Sequence, residues 1–226
     1  MSAAPPSSQE RFPYRIYLSE RMYRMSESDA DAWMDFRLVD RREQPEHYVK
    51  LAGDALETGD WEVAIGHLLK AIDLRERIRQ EQPHDWQLGL TTTRDYLRMA
   101  SIARSAEDPE YARNLYQTAL DYTLQLQEQF PSLNIIREAL ADCQSGLAEM
   151  ASESQDQEGV LRHLRNEVEI RRGLATLETP ETLLKLAKGL LNLGSVERDN
   201  DDLNAALDAF NEGLQQVRIV LPVGGD

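Results

Sequence analysis

Apolar residues recur every three or four positions from Glu46 almost to the end of the chain, without strand-like alternation. This spacing puts apolar side chains along one face of an α-helix. Pro83, Pro131 and Pro180 divide the pattern, since proline ends one helix and is tolerated in the first turn of the next. The pattern predicts eight helices in four pairs: 46–58 with 61–81, 86–105 with 108–129, 133–153 with 156–177, and 181–198 with 201–219.

The four predicted pairs repeat the same residue types at nearly constant spacing. A large apolar residue followed by a small one recurs at intervals of 48, 48 and 46 residues, and apolar residues follow 12 and 16 positions after the small one. Repeats of this kind stack, because one unit cannot bury its apolar face alone. The matched positions are Leu51-Ala52, Met99-Ala100, Leu147-Ala148 and Leu193-Gly194, then Ala64, Ala112, Val160 and Ala206, then Leu68, Tyr116, Leu164 and Phe210.

The turns inside the pairs and the ends of the chain carry further signals. Asp60, Asp108, Asp156 and Asp201 are predicted to start the second helix of each pair, because aspartate caps helix N-termini. Residues 1–11, rich in Pro, Ser and Ala, predict a disordered tail, and residues 12–45 predict an aromatic-rich helical segment. The repeat array is assigned to residues 46–221, followed by a tail at 222–226.

The repeated units resemble the tetratricopeptide repeat family. The first unit matches the family pattern through Tyr48, Leu51, Ala52, Ala55, Ala64, Leu68 and Ala71, and the second through Tyr96, Met99, Ala100, Ala103, Ala112, Tyr116 and Ala119. The period exceeds the usual ~34 residues, as in the long, kinesin-light-chain-like variety. The resemblance implies an all-α fold, a right-handed α-solenoid of about four helix-hairpin repeats with an extra N-terminal helical segment.

The resemblance also implies a peptide-binding groove lined by the first helix of each pair. Several groove positions are basic on an acidic chain, and the planar guanidinium of arginine suits carboxylates. The groove is therefore expected to hold an acidic or C-terminal peptide, and the alternative is a solvated face of interspersed charges. The expected groove residues are Lys50, Arg94, Arg98, Ser101, Arg104, Lys188, Asn192 and Arg198.

Composition narrows the function further. The net charge of −15, from 25 Lys and Arg against 40 Asp and Glu, disfavours nucleic acid and anionic membranes as partners. Cys143 is the single cysteine, so it is predicted to be a buried helix residue without a disulfide. The four histidines show no zinc-ligand or catalytic spacing, so no metal, cofactor or catalytic residue is predicted. The chain lacks an apolar run of ~18 residues, and a cytoplasmic location is expected.

These observations predict a noncatalytic module that binds a protein or peptide and acts as an adaptor, scaffold or regulatory subunit. A secretion or assembly chaperone and a self-associating structural subunit remain alternatives. Val217, Ile219, Val220 and Leu221 close the last predicted helix. Such residues are expected to fold back on the last pair or to be covered by a partner. One possible partner is a second copy of the chain, in a homodimer through the terminal helices. Trp33 lies between acidic residues and is interpreted as a helix anchor or as a self-inhibiting ligand.

Overall fold

A computed structural model describes residues 44–176 and 179–221. The described residues form eight helices and no strand. The predictions for residues 1–43 and 222–226, including the two tails and Trp33, lie outside the described residues. The helices are α1 Pro45–Glu57, α2 Trp61–Glu81, α3 Trp86–Ser105, α4 Pro109–Gln129, α5 Asn134–Glu153, α6 Gln157–Ala175, α7 Pro180–Asp199 and α8 Leu203–Val220.

The helices pack as four consecutive hairpins, which we call units one to four. In each unit the first helix contacts the second, and the second helix then contacts the first helix of the next unit. Every observed helix end lies within two residues of the predicted one. The predicted all-α solenoid is therefore confirmed, because apolar residues at helical spacing on both sides of each helix are buried against successive neighbours.

The same backbone turn joins the two helices of every unit. One residue takes a left-handed conformation, with φ of 81° at Gly59, 59° at Glu107, 60° at Gln155 and 63° at Asp201. The aspartate after it donates its backbone N–H to the carbonyl five residues earlier, over 2.8 to 3.0 Å. The first helix thus ends in a Schellman-type turn. The aspartates are Asp60, Asp108, Asp156 and Asp202.

These aspartates also begin the second helices. The side chains of Asp108, Asp156 and Asp202 accept backbone N–H bonds from Tyr111, Gly159 and Ala205. Asp60 makes no such side-chain bond. In the fourth unit the prediction was displaced by one residue, because Asp201 takes the left-handed position and Asp202 is the cap.

Small residues let the helices of a unit approach closely. Ala52 and Ala100 are fully buried, and Ala148 is nearly so. Gly194 replaces alanine at the matched position of unit four, and a methyl group there would meet the ring of Phe210. A methyl group on Gly146 of α5 would overlap the ring of Tyr116 on α4. The aromatic rings of units two and four are thus accommodated by glycines.

Buried charges lie between the units. Arg75 of α2 is buried and forms an ion pair with Asp95 of α3. Burial raises the pKa of Asp95 to about 6, against the lowering effect of Arg75. In unit three, Arg171 donates from Nε to Oε1 of Glu167 over 2.7 Å. This bond explains how Glu167 occupies a buried position where the repeat pattern favours a small residue.

Cys143 is buried in α5, as predicted, and it is a free cysteine. Burial raises the pKa of its thiol to about 12. At the apolar end of the last helix, Ile219 and Leu221 are each 63% exposed, whereas Val217 and Val220 are half-buried. The described residues therefore leave part of this apolar end uncovered.

Candidate functional site

The solvent-facing sides of α1, α3, α5 and α7, here called the first-helix face, form one continuous surface. Helices α3 and α5 contact each other directly. Arg98 of α3 reaches toward α1, with Nη2 3.8 Å from the place where a Cβ on Gly53 would stand. Lys185 of α7 reaches α5, with Nζ 3.4 Å from Oε2 of Glu138. Each first helix is thus linked to the next by a contact on this face.

The structure puts all eight expected groove residues on the first helices, and none of them is buried. Arg98 and Arg104 are half-buried, whereas the other six are exposed. The positions predicted from the repeat register therefore lie off the buried stripe. The exposed members are Lys50, Arg94, Ser101, Lys188, Asn192 and Arg198.

Two of the expected cations are engaged by carboxylates. Arg104 forms an ion pair with Glu149 on α5, and its Nε lies 4.0 Å from Oε1 of Glu153. Arg198 donates from Nε and Nη2 to Oδ1 of the adjacent Asp199 over 3.0 and 2.9 Å. Both arginines are thus partly neutralised, and a ligand carboxylate would compete with these acids for them.

One position of the repeat alternates in charge along the first-helix face. It is occupied by Glu46, Arg94, Asp142 and Lys188 in units one to four. The two acids form ion pairs with arginines of the second helices. Nη2 of Arg75 on α2 lies 3.4 Å from Oε1 of Glu46, and Nη2 of Arg171 on α6 lies 3.1 Å from Oδ1 of Asp142. No ion pair joins Arg94 or Lys188 to another residue within 44–176 or 179–221.

Sequence reasoning missed Arg75 and Arg171, which form ion pairs with these acids from the second helices. A signal for them was present, because each arginine follows its acid by 29 residues in units one and three, whereas Thr123 occupies the same position in unit two. Thr123 forms a hydrogen bond with Thr93 over 3.0 Å instead. Ion pairs between second and first helices thus occur at this position in units one and three, whereas the cations of units two and four have no such partner among the described residues.

Other features of the described residues give no further chemistry. A shallow cavity of about 340 Å³ lies between the start of α4 and the end of α5, lined by Arg113, Asn114, Met150 and Glu153 among others, and it includes none of the expected groove residues. Nδ1 of His163 forms a 2.8 Å hydrogen bond with Oε1 of Gln144, and burial lowers the pKa of the His163 imidazole. Across the described ranges, His, Cys, Asp and Glu side chains form no group of three that would hold a metal ion.

Along the part of the chain that the structure describes, no helix combines the length and the apolar character needed to cross a bilayer.

The His67 and His163 imidazoles both have lowered pKa values because they are partly desolvated. They belong to the second helices α2 and α6, away from the first-helix face.

Solved structures with the same fold are helical repeat proteins. BtubC (BKLC) from P. vanneervenii is 16% identical, with a TM-score of 0.60 over 83% of this chain and 70% of that one. The apo form of RapI is 16% identical, with a TM-score of 0.60 over 84% of this chain, which spans only 45% of RapI. The designed helical repeat protein DHR64 is 18% identical, with a TM-score of 0.50 over 80% of this chain and 97% of the design.

These similarities show that the fold is a tetratricopeptide-like helical repeat. No curated protein matches the sequence. A family profile described as "Protein of unknown function (DUF2753)" matches residues 43–172, which is more than half of the 226 residues and includes units one and two and most of unit three. The chain therefore belongs to the DUF2753 family.

Proposed function

We propose that the chain is a protein-binding repeat module that acts as an adaptor, scaffold or regulatory subunit and holds an acidic segment of its partner along the first-helix face. The fold supports this proposal, since stacked helical repeats create extended binding surfaces. BtubC and RapI are also built from tetratricopeptide-like helical repeats. We further infer the long-repeat variety of the fold, because helices α2 to α8 contain 18 to 21 residues.

The observation that carries the proposal is the alternating position on the first-helix face. Arg75 and Arg171 form ion pairs with Glu46 and Asp142, and each also pairs with a second carboxylate, of Asp95 and Glu167 respectively. Arg94 and Lys188 are exposed and have no ion-pair partner among the described residues, although the whole chain carries a net charge of −15. Carboxylates of a partner would find charge-assisted hydrogen bonds at these two places.

The spacing of the two cations suggests the length of the bound segment. Arg94 lies on α3 and Lys188 on α7, with α5 between them. Helices packed directly on each other have axes roughly 8–10 Å apart. Since α5 lies between them and does not pack closely on α7, α3 and α7 lie at least about 20 Å apart. An extended peptide advances about 3.3 Å per residue, and it would cross this distance in about six residues or more. The preferred ligand therefore has two acidic residues at least about six positions apart.

Peptide display tests this proposal without requiring the natural partner. A random peptide library is selected on the immobilised full chain, and the best peptide is then measured by fluorescence anisotropy. We expect the selected peptides to be enriched in Asp and Glu at the proposed spacing. The double substitution Arg94→Glu with Lys188→Glu should weaken binding at least about tenfold and leave the melting temperature almost unchanged.

The matched control changes the same number of charges on the second helices. Arg77 and Arg162 are exposed on α2 and α6, so Arg77→Glu with Arg162→Glu adds the same negative charge away from the first-helix face. Equal weakening by both double variants would show that only overall charge matters. Selected peptides without acidic residues would also contradict the proposal.

A further inference from the structure

The last helix carries a regular apolar stripe that faces solvent. The stripe contains Leu203, Leu207, Phe210, Leu214, Val217 and Leu221, separated by four, three, four, three and four residues. Leu203, Leu207, Leu214 and Leu221 are 66, 59, 46 and 63% exposed, whereas Phe210 and Val217 are half-buried. This is the spacing of the apolar seam in a two-helix coiled coil.

Most of the stripe lies apart from the face that α8 uses inside its own unit, and Phe210, whose ring lies against Gly194 of α7, stands at the boundary between the two. The buried residues of α8 are Ala206, Ala209 and Gly213, and the Cβ position of Gly213 lies 3.4 Å from Cβ of Leu190 on α7. At 100° per residue the stripe is turned by roughly a quarter of a circle from this buried face. The helix therefore has a second apolar side, whose four leucines remain exposed after α8 has packed within unit four.

The pattern of the stripe is complementary to itself. Its spacings read the same in both directions, so a second copy of α8 in antiparallel orientation would place Leu203 opposite Leu221 and Leu207 opposite Val217. Phe210 would meet Leu214 in the same arrangement. Every apolar position thus faces an apolar position under two-fold symmetry, which is the most common symmetry of homo-oligomers.

The charges around the stripe permit two acidic chains to meet there. Asn204, Asn211 and Arg218 border one side at seven-residue intervals, and Ala206, Gly213 and Val220 border the other. Glu212 is neutralised by Arg172, whose Nη2 lies 2.6 Å from Oε2. Asp201, Asp202 and Asp208 are the other acids of this region, and salt screens repulsion between charges farther apart than about 8–10 Å.

The area of the stripe is consistent with a modest interface. A leucine side chain exposed to about 60% offers about 80–100 Å² of apolar surface, and the half-buried Phe210 and Val217 add little, so the stripe offers about 400 Å² per copy. Two copies would bury about 800 Å², which is the size of a weak or transient interface.

We infer that the chain forms a symmetric homodimer in which the α8 stripes of two copies pack antiparallel. This inference is independent of the proposed peptide groove, because α8 is a second helix and contributes none of the expected groove residues. It assigns a second copy of this chain as the occupant of the exposed stripe.

Analytical ultracentrifugation of the full chain from about 1 to about 500 µM tests the inference. We expect a concentration-dependent dimer whose dissociation constant does not rise between low and high salt, since the contact is apolar. Leu207→Asp with Leu214→Asp should weaken the dimer at least about tenfold. Ile219 is a matched control, because it is 63% exposed but points away from the stripe, so Ile219→Asp should dimerise like the parent.

A parent that stays monomeric throughout this range would overturn the inference, as would equal weakening by Ile219→Asp. Circular dichroism and the melting temperature verify that each variant is folded. The two proposals fail separately. A dimer without acidic-peptide binding would contradict only the groove proposal, and acidic-peptide binding by a monomer would contradict only the dimer proposal.

Cysteine cross-linking tests the antiparallel arrangement. Cys143 is buried, so new cysteines on α8 are the reactive thiols of the folded chain. When Leu207→Cys and Val217→Cys chains are mixed and oxidised, we expect the mixed disulfide dimer to form faster than either homotypic dimer. Faster homotypic cross-linking would indicate a parallel contact and would contradict the proposed symmetry.

Discussion

At the residue scale, the turn inside each unit depends on one left-handed residue. Gly59 adopts this conformation without a steric cost, whereas Glu107, Gln155 and Asp201 carry a Cβ in the same place. The aspartate that follows is constant because it closes the turn and begins the next helix. All four units share this turn geometry, and the backbone of its left-handed residue is strained in the three units where that residue is not glycine.

We predict that Glu107→Gly stabilises the protein. The left-handed conformation disfavours residues with a Cβ by roughly 1–2 kcal/mol, and the greater entropy of glycine in the unfolded chain offsets part of this gain. The free energy of unfolding should rise by about 0.5–1 kcal/mol in urea denaturation. The reciprocal change, Gly59→Ala, should lower it by a similar amount. A destabilised Glu107→Gly variant would mean that the glutamate side chain makes an important contact.

At the element scale, neighbouring helices fit because large rings oppose glycines. The ring of Tyr116 lies against Gly146, and the ring of Phe210 lies against Gly194. The repeat pattern identified Gly194 as a small residue at a helix contact. Gly146 was not identified, since no small residue recurs at its position: Lys50, Arg98 and Asn192 occupy it in the other units.

We predict that Gly146→Ala destabilises the protein by about 1–3 kcal/mol, because the added methyl group overlaps a buried ring. Alanine favours helices over glycine by about 1 kcal/mol, so a loss cannot arise from helix propensity. Thermal and urea unfolding measure the effect. Gly173 in α6 is the control: its new methyl group would meet only the guanidinium end of Arg137, which can move, so Gly173→Ala should be neutral or stabilising. Equal effects of the two changes would exclude packing against Tyr116 as the cause.

At the scale of the whole molecule, each unit is stabilised mainly by its contacts with the neighbouring units. Contacts join each helix chiefly to the helices beside it in sequence, so the inner helices α4 and α5 have neighbours on both sides. Among the described helices, α8 packs on α7, and its Glu212 also forms an ion pair with Arg172 of α6. In such a nearly one-dimensional array, local opening is easiest at an end.

We predict that hydrogen exchange follows this order. In the Leu207→Asp, Leu214→Asp variant, which is designed to weaken the proposed dimer contact, backbone amides of α8 should exchange at least about tenfold faster than those of α4 and α5. Exchange measured by mass spectrometry at peptide resolution checks this. Uniform protection along the chain would instead indicate that the array unfolds as one cooperative unit.

The candidate site was only partly predictable. Repeat register located all eight expected groove residues at positions that the structure leaves unburied. It did not reveal that Arg104 and Arg198 have carboxylate partners, because ion pairs depend on which side chains meet across helices. Whether these residues bind a peptide remains a prediction.

The sequence by itself determined the helices, their pairing and the buried small residues, because helical periodicity and repeat spacing are local properties of the chain. The tertiary structure decided which charges remain available and which apolar residues remain exposed. Arg75 neutralises Glu46 from another helix, and Leu207 stays exposed although Ala206 beside it is buried. Such outcomes depend on distances between residues far apart in sequence, and the periodic pattern does not encode these distances.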